Sequence, residues 1–327
     1  MERTGLDTPT LDIPTEDVHL PRWTGRLPSS RRGCQRVSPP RHRQQRNIRQ
    51  ARCMGRSASK IKQMHVPLFH VNAFTAGPCT GNPAAVCLLD SWLDDEALRK
   101  VAAENNLSAT AFLVSGSEGY QLRWFTPRCE IRLCGHATLA AGYVVLKVIQ
   151  PDLNAVQFST RFSGSLTVGK RDDKFCTDFP ALIPLSCKKH PGGLSVALNL
   201  ESNPSEILEV NDTYVVVFES EEAVRNLAPD FARLERLHPH VVAVTARGND
   251  ADFVSRYFAP SYGVPEDPVT GSVHCALTSY WSKRLKKSSL HAKQLSERTG
   301  ELRCELSGER VILQGRAELT LKGTLTR

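Results

Sequence analysis

Two stretches of this chain follow the same plan: FTPRCEIRLCGHATLAAGY at residues 125–143 and FAPSYGVPEDPVTGSVHCALTSY at residues 258–280. Both begin with Phe-x-Pro, continue through a loop and reach a glycine, Gly135 or Gly271, from which we expect a helix to start. The first of these helices, HATLAAGYVVLKV, is apolar on nearly every side, which predicts that it is buried all round. A strand that feeds a buried helix twice predicts two similar halves that face each other.

The surrounding sequence supplies strands and a further helix. Alternating and continuous apolar runs before, between and after the two stretches predict many short strands. Asp94 or Asp95 can cap a helix that ends near Asn106. We therefore predict an α+β fold with two pseudosymmetric halves, residues 64–165 and 166–327, each a mixed β-sheet or barrel around a central helix.

Residues 1–63 differ in composition from the rest of the chain. They hold 14 Lys+Arg against 5 Asp+Glu, a balance of +9, whereas the total of 42 against 34 leaves 28 against 29, or −1, for residues 64–327. Such a segment cannot bury enough apolar surface to offset its ordering entropy, so we predict a disordered basic N-terminal extension. A solvated extension is the simpler interpretation, and nucleic-acid binding through phosphates is the alternative.

Cysteine spacing and hydropathy indicate the compartment. The 10 cysteines form no CxxC pair and no zinc-binding spacing, which is typical of reduced thiols in a cytosolic protein. No apolar run approaches the roughly 18 residues that a membrane span needs. We therefore expect a cytoplasmic protein that has no metal site and no membrane partner.

The two predicted helix starts are candidate binding elements. A helix N-terminus exposes unpaired N–H groups and about half a positive charge, which suits a carboxylate or a phosphate. If the halves face each other, Gly135 and Gly271 converge on one cleft and would hold a small anionic metabolite from two sides. His136 can shuttle a proton there, and Asp267 can accept one or orient that histidine. The spacing alone leaves open whether both residues only satisfy backbone groups.

Two further residues have a chemical and a structural interpretation. Cys134 precedes the first glycine, where the helix dipole would stabilise a thiolate, although a buried small side chain is the simpler explanation. His274 lies about one turn into the second helix, where packing is favoured over chemistry.

From residue 64 onward the chain resembles the PhzF family of phenazine biosynthesis-like proteins, and most closely its animal members. Four motifs carry the resemblance: AFTAGPCTGNPAAVCLL (73–89), NLSATAF (106–112), RWFTPRCEIRLCGHATLA (123–140) and SRYFAPSYGVPEDPVTGSVHCALTSYWSKRL (255–285). The resemblance implies a diaminopimelate epimerase-like fold, a homodimer and chemistry without cofactor or metal. It also implies a proton shift on a small carboxylated metabolite.

The family's functional residues can be carried over where the motifs match. The resemblance implies that His136 and Asp267 belong to the proton-handling set. It implies a substrate-binding role for five residues: Gly135, Gly271, Ser272, Ser108 and Asn82. The family's general base is a Glu that follows Leu-Ser in an NLSET motif, and this chain has Ala109 there. Loss of a positioned base costs on the order of 10² to 10⁴-fold in rate.

Other residues are poor replacements for that base. Glu104 lies five residues earlier on a helix, and Glu266 points away from Asp267 if the segment is extended. A two-thiol racemase would need a cysteine before each glycine, but Thr270 precedes the second one. Two functions stay open: a PhzF-like isomerase that relies on His136 and Asp267, or an inactive protein that uses the pocket for small-molecule binding or protein-interaction regulation.

Overall fold

A computed structural model describes residues 65–116, 119–200 and 203–326; the predicted extension, residues 1–63, lies outside this range. The described strands are β1 (His65–Thr75), β2 (Asn82–Leu89), β3 (Ala109–Gly116), β4 (Gly119–Phe125), β5 (Glu130–Ile131), β6 (Ala155–Thr160), β7 (Ser165–Arg171), β8 (Lys174–Pro180), β9 (Leu185–Ser186), β10 (Glu206–Val210), β11 (Thr213–Val217), β12 (Val241–Arg247), β13 (Phe253–Phe258), β14 (Ser289–Gln294), β15 (Gly300–Ser307) and β16 (Arg310–Thr326). The described helices are α1 (Asp95–Asn105), α2 (Gly135–Tyr143), α3 (Gly193–Ala197), α4 (Glu221–Arg225), α5 (Phe231–Glu235) and α6 (Gly271–Leu285). A π-helical segment, Val144–Ile149, continues α2, and a 3-10 turn spans Pro260–Tyr262.

The long last strand closes a barrel in the first half. The early part of β16 pairs with β8 and β15, and residues 316–326 pair antiparallel with β1. Strands β1 to β4, β6 to β8 and β16 therefore form a closed eight-stranded ring. Inside it, α2 packs against β1, β2, β3, β7, β8 and β16. Every residue from Gly135 to Gly142 is buried, as the apolar sequence of this helix predicts.

The second half continues the same sheet in the order β16, β15, β14, β13, β12, β11, β10 and β9. Its central helix, α6, packs against β14, β15 and β16, while residues of α3, α4 and α5 cover a separate apolar cluster on the sheet. The predicted α+β class, with a sheet around a central helix in each half, is confirmed. Within the described residues, no helix has the length and apolar character needed to cross a bilayer.

Strand pairing assigns segments to the halves differently from the boundary expected after residue 165. Residues Ser165–Pro180 form β7 and β8 of the first barrel, and residues 316–326 return to it from the end of the chain. The first half is therefore discontinuous in sequence, because its barrel can close only when β16 pairs with β1.

The helix expected after Asp94 forms as its sequence indicates. The Asp94 carboxylate accepts a hydrogen bond from the Ala97 amide at 2.7 Å and caps α1. Asn106 ends the helix in the left-handed conformation, with φ of 48°. The buried face of α1 packs on the outside of the barrel with Phe112 and Phe125.

Candidate active site

The two helix starts lie against each other. A Cβ atom built on Gly135, the first residue of α2, would lie 2.8 Å from the Cα atom of Gly271, the first residue of α6. A Cβ atom on Gly271 would lie 3.0 Å from the Cα atom of Gly135. Close backbone contact therefore requires glycine at both positions. It also brings two positive helix ends to one place in the fold.

A cavity of about 160 Å³ opens beside this contact. Its lining includes six residues predicted for the site: His136, Asp267, Gly135, Gly271, Ser272 and Ser108. The apolar part of the lining consists of Ile131, Leu133, Tyr257, Ala259, Tyr262 and Val264. Asn82 lies behind the lining, fully buried, and contacts Asp267 and Ser108. The structure thus places Asn82 as a support for lining residues.

Hydrogen bonds determine which nitrogen of His136 carries the proton. Asn82 Nδ2 donates to Asp267 Oδ1 at 2.7 Å and to a backbone carbonyl at 2.9 Å, so the Asn82 Oδ1 atom accepts from the Ser108 hydroxyl at 2.6 Å. A hydroxyl has one hydrogen, so Ser108 Oγ must accept from His136 Nε2–H, 3.1 Å away. His136 Nδ1 then accepts from the Cys134 thiol, with Sγ at 3.5 Å.

Burial keeps both titratable groups of the first helix start uncharged. His136 is 4% exposed, and burial lowers its pKa to about 3. Burial also raises the pKa of the Cys134 thiol, although the thiol accepts a backbone hydrogen bond from Ala137. Near neutral pH this side of the site holds a neutral imidazole and a thiol, which favours the simpler interpretation of Cys134 as a buried small residue.

Asp267 is the group in the cavity whose protonation changes near neutral pH. It is 8% exposed, and burial raises its pKa to about 6. Two hydrogen bonds oppose that rise, from Asn82 Nδ2 at 2.7 Å and from the Thr270 hydroxyl at 2.6 Å. A carboxyl group with this pKa can both accept and return a proton at physiological pH.

Neither position 109 nor the two glutamates considered as replacements adds a carboxylate to the described lining of the cavity. Ala109 begins β3 and is fully buried in the barrel core. Glu104 is exposed on α1, and Glu266 forms a two-point ion pair with Arg256, at 2.7 and 2.9 Å. Within the described lining, Asp267 is therefore the single carboxylate.

His274 supports the backbone of the second helix start. Its Nδ1–H donates to the Thr270 carbonyl at 2.7 Å, and its ring lies 5.8 Å from the Phe253 ring, centroid to centroid. Burial lowers the pKa of His274 to about 4. These contacts favour packing as its role, as predicted from its position in the helix.

Several residues of the site were not predicted from the sequence. Thr126, Tyr257 and Tyr262 line the cavity, and Gln294 bonds the loop that carries Asp267. Only Gln294 has a sequence signal, because it occupies a position in β14 where the alternation of the strand calls for an apolar side chain. In the described part of the chain, no cluster of three or more His, Cys, Asp or Glu residues could hold a metal ion.

Comparisons with known proteins identify the family. The model of the phenazine biosynthesis-like protein family, PhzC-PhzF, matches residues 71–323. A Pseudomonas aeruginosa protein named an uncharacterized isomerase is 49% identical, covering 80% of this chain and 99% of that protein. The Bos taurus phenazine biosynthesis-like domain-containing protein is 38% identical, covering 80% and 100%. The bacterial protein is more similar than the bovine one, so the expectation of greatest similarity to animal proteins was wrong.

A solved structure agrees with this assignment. The crystal structure of a PhzF-family phenazine biosynthesis protein from Enterococcus faecalis superposes with a TM-score of 0.74 at 40% identity, covering 80% of this chain and 99% of that one. The family match extends over most of the described residues, and similar bacterial proteins bear the name isomerase. The chain therefore belongs to the phenazine biosynthesis-like protein family, PhzC-PhzF.

Proposed function

We propose that this protein is an isomerase that shifts a proton on a small carboxylated metabolite without a cofactor. The observation that carries the proposal is Asp267, a buried carboxyl group with a pKa raised to about 6, beside two converging helix starts. The names of the bacterial relatives support the reaction class. A homodimer and a cytoplasmic location are part of the same proposal.

The substrate carboxylate would bind at the helix starts. The first N–H groups of α2 and α6 have no carbonyl partner within their own helix, and residues of both helix starts line the cavity. The hydroxyls of Ser108 and Ser272 add polar contacts. The described lining includes no lysine or arginine, so the helix ends supply the positive potential.

The size of the cavity sets the size of the metabolite. Ligand sites for drug-sized molecules usually measure about 300–1,000 Å³. The 160 Å³ cavity fits a much smaller molecule, with its apolar part against Ile131, Leu133 and Val264. This argues for a single small carboxylic acid as substrate.

Asp267 would perform the proton transfer. Its ionised form takes the proton from the substrate, and its protonated form returns a proton to another atom of the substrate. His136 stays neutral and holds Ser108, through which it aligns the polar side of the cavity. The resemblance implies that family members use a Glu at the position of Ala109 as general base. Because Ala109 cannot accept a proton, Asp267 takes over that role here.

A second candidate function is binding without turnover. The replacement of the family's Glu by Ala109 favours it, because the elements that would bind a carboxylate are present while one acid/base group is absent. Such a protein would serve a regulatory role through a small molecule or a protein partner.

An exchange experiment distinguishes the two functions. The full chain is incubated in heavy water with a panel of small carboxylic acids, and deuterium incorporation is followed by NMR. We expect incorporation into at least one acid by the wild type and its loss in Asp267→Asn. If the wild type exchanges nothing while an Ala109→Glu variant does, the isomerase proposal is refuted. If one of these acids then raises the thermal unfolding temperature of the wild type without any exchange, the protein has the binding function.

A further inference from the structure

Gln294 is a polar residue at a core-facing position. Along β14, Leu290, Ala292 and Gln294 are all fully buried, so the strand presents two apolar side chains and then an amide to the interior. Burying an amide costs free energy unless its donors and acceptor find partners. The contacts of Gln294 therefore indicate what this residue does.

The Gln294 side chain forms three hydrogen bonds to one loop. Its Oε1 accepts from the Thr270 amide at 2.9 Å, and its Nε2 donates to the Asp267 carbonyl at 2.6 Å and to Thr270 Oγ1 at 3.3 Å. The orientation of the amide is unambiguous, because a backbone N–H can only donate and a backbone carbonyl can only accept.

These bonds direct the hydrogen of Thr270 toward Asp267. Thr270 Oγ1 receives an N–H from Gln294, so its own single hydrogen is available to Asp267 Oδ2, which lies 2.6 Å away. The loop is also attached to β13, where the Asp267 amide donates to the Tyr257 carbonyl at 2.9 Å. Gln294 thus spans both ends of the segment that presents the carboxyl group.

We propose that Gln294 is a positioning residue for the proton-transferring carboxyl group: it holds Thr270 so that the Thr270 hydroxyl stays bonded to Asp267. The inference rests on the proposed function for the catalytic meaning of Asp267. The positioning itself is independent of any substrate.

The surroundings of Asp267 determine the expected direction of change. Titratable groups near its carboxyl group or the loop that carries it are Cys134, His136, Tyr257, Tyr262, Glu266 and His274. Glu266 is ion-paired with Arg256, and its negative charge still raises the pKa of Asp267. The hydrogen bonds from Thr270 and Asn82 favour the ionised form of Asp267. Loosening Thr270 removes one of them, so Asp267 should hold its proton to higher pH.

The test is a titration of Asp267 by NMR in the full chain, with ¹³C-labelled aspartate carboxyls and Asp267→Asn to assign the signal. We compare wild type, Gln294→Met and a matched control, Gln314→Met, which makes the same change at a half-buried glutamine of β16. We expect the wild-type midpoint near pH 6, a rise of about one pH unit in Gln294→Met and no change in Gln314→Met.

Three results would overturn the proposal: a wild-type midpoint near pH 4, an unchanged midpoint in folded Gln294→Met, or an equal rise in Gln314→Met. The second result counts even when Gln294→Met loses thermal stability, since lower stability with an unchanged midpoint is the result of a purely structural role. If Gln294→Met does not fold, Gln294→Asn, which keeps a buried amide but withdraws it from the loop, must show the same rise. Absence of turnover in every protein would refute the proposed function and leave the titration result standing.

Discussion

The two helix starts share a backbone arrangement but differ in the groups that can carry a proton. At the first start, burial lowers the pKa of His136 to about 3 and raises that of the Cys134 thiol. At the second start, burial raises the pKa of Asp267 to about 6. In the proposed function, the halves therefore share the binding of an anion through their helix ends, while proton transfer is assigned to the second half.

Replacing Asp267 should have the largest effect. In Asp267→Asn the amide keeps the size of the side chain but cannot accept a proton from the substrate. We expect exchange into the substrate to fall by about 10² to 10⁴-fold, the usual contribution of a general base. The matched control is Asp250→Asn, at an exposed position outside the cavity lining, which should keep the wild-type rate. A similar loss in both variants would show that the effect is not specific to the second half.

Separating the two helix starts should reduce stability. In Gly271→Ala the new Cβ atom would lie 3.0 Å from the Cα atom of Gly135, so one helix must move. Overpacking of this kind should lower the free energy of unfolding by about 3 kcal/mol, measured by urea denaturation. Gly192→Ala is the control, because a Cβ atom there has nothing within 4 Å. Equal stability of the two variants would contradict the backbone contact.

Acid should destabilise the protein through its buried histidines. The pKa values of His136 and His274 are about 3 and 4 in the folded protein and about 6.5 when unfolded, so the unfolded chain binds more protons below pH 6.5. Stability is thus lost as the pH falls from about 6.5. Asp267 acts in the opposite direction, since its raised pKa makes the folded form bind a proton between pH 6 and 3.8.

The size of this acid effect can be measured by denaturation at pH 7 and pH 5. Each buried histidine should remove about 2 kcal/mol of stability over this interval, and Asp267 should offset about 1 kcal/mol. His136→Gln should reduce the acid sensitivity, whereas His190→Gln, at an exposed position, should leave it in place. If His136→Gln keeps the full sensitivity, the neutral imidazole assigned to the first half is wrong.

Local sequence signals predicted the elements whose causes are local. The Asp94 cap and the buried face of α1 follow from residue types a few positions apart, and so does the all-round burial of α2. The glycines that start α2 and α6 were also recognisable, and their convergence on one cleft was expected, although their direct backbone contact was not. These elements were sufficient to predict the fold class.

Local sequence signals did not predict the pairing of strands that are distant in the sequence. The first barrel closes because His65 pairs with Thr326, near the opposite end of the chain, and no local pattern specifies that register. The role of Asn82 likewise depends on Asp267, which lies 185 residues later. Gln294 lies between these two cases. Its polar side chain on an apolar strand face is recognisable in the sequence, but the sequence does not identify the loop to which it bonds.

The pH dependence of exchange tests most directly whether Asp267 alone transfers the proton. Deuterium incorporation into the acid identified by the panel is measured from pH 4.5 to 8 (chosen to bracket the pKa of about 6). We predict that the rate rises with pH through about 6 and then levels off, because the ionised form of Asp267 is the active one. Asp267→Asn should remove this rise together with the activity. A rate that is flat through pH 6, or an Asp267→Asn variant that keeps the wild-type rate, would contradict a single acid/base group in the second half.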